Sequence, residues 1–110
     1  MIAKTLLDFL SEKLTVPVVM EAPKQKTGYV LIDQTGSSRT NHITTTTLAL
    51  QSYGSTLYNA MLLNNDVANA MEEFAELGEV TRVELQTDYN FTDTTTKQYR
   101  WQAVYQITHY

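Results

Sequence analysis

Between Ser55 and Leu77 the sequence carries a single apolar stripe that decides how the remainder of the chain can fold. Residues on a helix advance about 100° each, so side chains on one face recur three and four apart. Ala60, Leu63, Val67, Ala70, Met71, Phe74 and Leu77 keep that spacing. They fall within about a third of the circle, the width of a core-facing stripe. Ser55 is the expected N-cap hydroxyl, and Gly78 stands where a left-handed residue closes a helix. Asn64, Asn65 and Asp66 are weak helix formers in the middle of this run, and Asp66 could cap a second helix. The stripe keeps its phase across the triplet, so one continuous helix is expected. A helix of this kind must bury its stripe, and the other segments read as a sheet beneath it.

A shorter helix is expected over Ile2–Leu14, with Ile2, Leu6, Phe9, Leu10 and Leu14 on one side. It cannot pass Thr15, because Val16 precedes Pro17 and a residue before proline is driven out of the helical region. Val16–Met20 reads as a short strand, held to a sheet edge by the missing donor of Pro17. Ala22–Gly28 reads as a polar loop, and Tyr29–Ile32 as a strand buried on both faces. Thr35–Asn41 is rich in turn-forming residues and is expected to be a loop. His42–Tyr53 follows as a third strand, ended by Gly54.

Two segments after the long helix alternate with period two. Val83, Leu85, Thr87, Tyr89 and Phe91 in one strand and Tyr99, Trp101, Ala103, Tyr105 and Ile107 in the other should share one face of a hairpin, joined through Thr92–Thr96 around Asp93. The aromatic side of this hairpin should meet a helix. All four glycines, Gly28, Gly36, Gly54 and Gly78, are expected at element boundaries. The resulting expectation is an α+β fold in a single domain over residues 1–110, in the order α-β-β-β-α-β-β. Its sheet should be mostly antiparallel and covered by two helices. A chain of 110 residues can bury about two thirds of its unfolded surface.

The chemistry-bearing residues are sparse. With 8 Lys and Arg against 12 Asp and Glu, a net charge of −4 argues against a dedicated phosphate-backbone binder. No cysteine is present, so neither disulfides nor thiolates contribute. The N-terminus lacks a basic region followed by an apolar run, so no signal peptide is expected. No run of apolar residues is long enough to span a membrane. His42 and His109 are placed far apart at strand ends, whereas a zinc site needs three or four ligands. Glu72, Glu73, Glu76, Glu79 and Glu84 form an acidic run read as a solvated face. There is no phosphate loop, nucleophile elbow or dinucleotide fingerprint, and no enzymatic activity, cofactor or metal is expected. The aromatic residues of the last two strands lack interleaved basic residues, so they read as core rather than as a base-stacking platform. Tyr58 and Leu62 are the exception to these bland readings. They lie one helical turn apart, about 180° from the core stripe, and either are incidental or mark a docking face.

The segments Asp88-Tyr89-Asn90-Phe91 and Arg100-Trp101-Gln102-Ala103-Val104-Tyr105-Gln106-Ile107-Thr108, taken with the order of elements, resemble the tail terminator proteins of long-tailed bacteriophages. The chain is also similar to the small head–tail joining proteins encoded by phages and prophages of Gram-positive bacteria. The resemblance spans the full length and rests on architecture and on this diffuse C-terminal pattern. It implies a structural protein of the virion tail, assembled in the cytoplasm of the bacterial host. Such proteins form a homo-oligomeric, hexameric ring on the tail tube protein, stop tube growth, and meet the head-completion protein of the filled head. DNA would pass through without specific binding, and no membrane is involved. The candidate subunit contacts are Tyr58 and Leu62 on the long helix and Arg39 in the Thr35–Asn41 segment, with the loop Ala22–Gly28 beside them. Another head–tail connector, a head-completion protein or a stand-alone protein-binding module remain alternatives, and flanking tail-tube and tape-measure genes would separate them.

Overall fold

A computed structural model describes all residues from Met1 to Tyr110. Helix α1 (Ile2–Lys13) precedes strands β1 (Val18–Val19), β2 (Tyr29–Thr40) and β3 (Ile43–Gly54). Helix α2 (Leu57–Phe74) follows, then β4 (Val80–Asn90) and β5 (Tyr99–His109). The strands form one five-stranded sheet in the order β1-β2-β3-β5-β4, antiparallel except for the β1–β2 pair. This is the expected α+β fold, with the expected order of elements.

Both helices lie on one face of the sheet. Ile2, Leu6 and Leu10 of α1 join Val67, Ala70, Met71 and Phe74 of α2 in a single core. From the sheet side that core receives Val30, Ile32, Leu48, Leu50, Ala103, Tyr105 and Ile107, the residues whose side chains alternate onto the helix face. The long helix is continuous through Asn64-Asn65-Asp66, as its stripe requires. Its ends differ from the expectation. Thr56, not Ser55, is the N-cap, and its hydroxyl accepts a hydrogen bond from the Asn59 N–H at 3.1 Å. Ser55 Oγ instead accepts from the Asn59 side-chain amide at 2.8 Å. The last turn closes at Ala75, three residues before Gly78, and Gly78 has no left-handed backbone. Leu77 still packs against the core from the connection that follows.

Two corrections concern the strands. The segment Thr35–Asn41 is not a loop: β2 runs to Thr40, and its register with β3 shifts once, between Gln34 and Gly36. Gly36 therefore lies inside a strand, at a bulge, rather than at a boundary. The turn is only Asn41 and His42, with φ of 51° and 68°. Two successive positive φ values are what a tight two-residue hairpin needs to match strand twist, so His42 belongs to the turn and not to β3. The polar residues of β2 are held by pairing with β3 over its full length, which overrides their turn preference.

The second correction is the face of β4. Its register with β5 slips between Leu85 and Thr87. Val83 and Leu85 pair with Ile107 and Tyr105 on the helix side, but beyond the slip Asp88 and Asn90 take that side, opposite Ala103 and Trp101. Tyr89 and Phe91 are turned to the other face, so the expected continuous aromatic face is divided. A bulge of one residue reverses every side chain after it. Asp88 consequently lies under α2, where its carboxylate accepts hydrogen bonds from the Trp101 indole and from the Asn64 side-chain amide at 3.3 Å. Asn64 is buried in line with the apolar stripe, a placement its polarity did not suggest.

Tyr105 is buried on the same side. Burial pushes its hydroxyl up from 10.0 to about 12, with the Asp88 and Glu72 carboxylates adding to the shift. A raised native value means that the stabilising contribution is complete below pH 10.0 and is lost as pH rises through about 12. Discounted for partial screening, that loss should be about 1–2 kcal/mol. Urea unfolding measured across this window should show the wild type losing more stability than Tyr105→Phe. Parallel losses in the two proteins would contradict the placement of this hydroxyl in the core.

Candidate functional site

Tyr58 and Leu62 stand on the outer side of α2, 67% and 47% exposed. Met61 joins them at 45%. Met61 is missing from the sequence reading, although its spacing of three from Tyr58 places it on the same helical face. Three adjacent large apolar side chains on a helix whose opposite face is buried make a patch rather than a scatter of single residues. The acidic residues Glu72, Glu73, Glu76 and Glu79 are exposed, as expected, and only Glu84 is half-buried.

Arg39 does not share this surface. It lies two residues from the hairpin tip, where its Nε donates to Thr44 Oγ1 at 3.3 Å. Thr44 is the second residue of β3 and α2 follows its end, so roughly 30 Å of strand, at about 3.3 Å per residue, separates Arg39 from Tyr58. Around Arg39 the register of β3 on β5 brings His109 opposite Thr44. His42 and His109, expected far apart, thus line one recess of about 430 Å³ together with Glu79. His109 shares a hydrogen bond with Thr46 Oγ1 at 3.1 Å. No three His, Asp or Glu side chains are grouped so that they could hold a metal ion.

The sheet face away from the helices carries a polar and aromatic network that crosses three strands. Tyr53 Oη donates to Gln51 Oε1 at 2.7 Å, and Gln51 Nε2 donates to Gln102 Oε1 at 2.8 Å. Gln102 Nε2 donates in turn to Tyr89 Oη. Each amide is oriented by its neighbours, which gives the chain of bonds one direction. The Tyr29 and Tyr53 rings stack with centroids 4.3 Å apart. Burial, with Tyr53 beside it, pushes the Tyr29 hydroxyl above its ordinary value. The Arg100 guanidinium lies 4.5 Å from the Phe91 ring centroid and donates to the Phe91 carbonyl at 2.6 Å. Arg82 on this face is paired with Glu84. The network was invisible in the sequence because it depends on cross-strand register and on the β4 slip. Its chemistry is recognition by amides, phenols and rings. It contains no nucleophile with an adjacent base.

At the rim of this face, the turn after β4 is pinned by Asp93, whose carboxylate accepts from the Thr95 and Thr96 N–H groups at 3.0 and 3.4 Å. Those two bonds hold the Asp93 carboxyl below its ordinary value. The turn is thus a fixed feature centred on Asp93, as its sequence indicates.

The fold and surfaces together define a small α+β protein with a half-covered sheet and several distinct candidate contact faces. No protein-family profile matches the chain, and no curated protein matches it in sequence.

Proposed function

We propose that this chain is a structural subunit of a phage tail, forming a hexameric ring at the head-proximal end of the tail tube, where it stops growth and joins the tail to the head. The observation that carries this reading is the distribution of its surfaces. Helices cover one sheet face only. An apolar patch on α2, a bare sheet face and the distant β2–β3 hairpin are three separate regions of the molecule. A ring with cyclic symmetry is built from heterologous contacts, each joining two different patches of the same chain. Its full-length resemblance to tail terminator proteins supports the same role. The net charge of −4 supports passage of DNA without grip, because phosphate binding needs clustered Lys and Arg. No enzymatic step, cofactor or metal enters this role.

Tyr58 is the side chain best suited to a subunit contact, since interfaces are enriched in tyrosine and depleted in lysine. Tyr58→Asp should leave the fold within about 0.5 kcal/mol of wild type, being a surface change. It should weaken ring formation on purified tail tubes, read by light scattering and electron microscopy. Rings that form as readily with Tyr58→Asp as with the wild type would remove the patch from the interface.

A further inference from the structure

Between the end of α1 and the outer side of α2 runs an open groove of about 820 Å³. Its apolar lining includes Leu14 and Val16 on one bank, Leu62, Leu63 and Ala70 on the other, and Tyr53. Asp66, Glu72 and Glu73 also line it, and all three are exposed. The only cation in the lining is Lys13, and it is already spent. Its ammonium sits 3.4 Å from Glu73 and 5.5 Å from the Phe9 ring. Asp66 and Glu72 have no basic partner.

We propose that this groove docks a basic, amphipathic segment of a partner protein, with apolar side chains on Leu14, Val16 and Leu63 and lysine or arginine against Asp66 and Glu72. An apolar floor with charge of one sign at its side is a common arrangement for gripping an amphipathic segment. The apolar part supplies affinity, and the unpaired carboxylates select the sign of the partner's charge. A second copy of this chain is a poor occupant, because it brings a net charge of −4 to an acidic groove. Of the outer patch, Leu62 lines the groove and Tyr58 and Met61 do not, so a subunit contact centred on Tyr58 leaves most of it open. The docking role does not depend on the tail reading and can fail without it.

The test uses the full chain and a short synthetic helical peptide of leucine and lysine, with a leucine–glutamate peptide as its counterpart. Titration followed by backbone NMR should give shifts concentrated at Leu14, Val16, Leu63 and Asp66 for the lysine peptide and none for the glutamate peptide. Asp66→Lys with Glu72→Lys should weaken binding about tenfold or more. Glu76→Lys with Glu79→Lys, which changes net charge equally outside the groove, should weaken it less than about twofold. Shifts centred elsewhere, equal weakening by both double variants, or no binding of the lysine peptide would each overturn the proposal.

Discussion

Replacing Phe74 with alanine should cost the fold about 3–5 kcal/mol, the range for removing a fully buried large side chain. Phe74 has no solvent exposure and closes the last turn of α2 against the core. Its ring lies 5.3 Å from that of Phe9, centroid to centroid, so it ties α1 to α2 as well as α2 to the sheet. Against a total stability of about 5–15 kcal/mol for a domain of this kind, the loss is severe. Glu76→Ala, two residues on and exposed, should fall within about 0.5 kcal/mol of wild type. Chemical denaturation of the two variants is the measurement. Similar midpoints would mean that α2 presents a different face to the sheet.

Gly54→Ala should be the second large loss, for the opposite reason. Gly54 ends β3 directly beneath the first turn of α2. A Cβ placed there would lie 2.8 Å from the Asn59 carbonyl carbon and 2.9 Å from Ala60 Cα, with the Ala60 nitrogen nearer still. These are backbone atoms of a helix, so they cannot move aside as a flexible side chain would. Relief requires lifting α2 from the strand, and overpacking of this kind costs about 1–3 kcal/mol or more. Gly78 has open space around it, and Gly78→Ala is the matched control, expected near wild type. A Gly54→Ala protein as stable as that control would contradict the close approach of α2 to β3.

The parts of the fold that could be read in the sequence are those governed by local periodicity. The stripe from Ala60 to Phe74 fixed α2 and carried it through Asn64-Asn65-Asp66, and Pro17 correctly bounded α1 from the far side. The hairpin of β4 and β5 followed from its alternation. Features set by partners distant in the chain were not legible. Ser37, Ser38 and Thr40 have the composition of a loop, and they are a strand because β3 supplies the other half of their ladder. Tyr89 and Phe91 continue the alternation of Val83 and Leu85 without a break in the sequence. One slipped register near Gln86 nevertheless sends them to the bare face. Surface residues divide in the same way. Tyr58 and Leu62 were readable as exposed, being opposite the stripe on one helix. The groove was not, since its banks come from residues 13–16 and 62–73 and meet only in the folded chain.

The proposed role follows from what a tube of stacked rings requires in order to end. Each ring grows the tube by offering its successor the surface it used itself. A protein that stops growth must match that surface on one side and withhold it on the other, which shape and charge alone can achieve. A compact domain with unlike faces meets that requirement.

Deletion of the gene from a phage or prophage that carries it, followed by electron microscopy of the lysate, tests this proposed role most directly. Filled heads without tails, beside unattached tails of irregular and excessive length, are the expected result. Unattached tails of normal length would move the protein to the head side of the junction. Normal infectious particles would contradict a structural role in the virion.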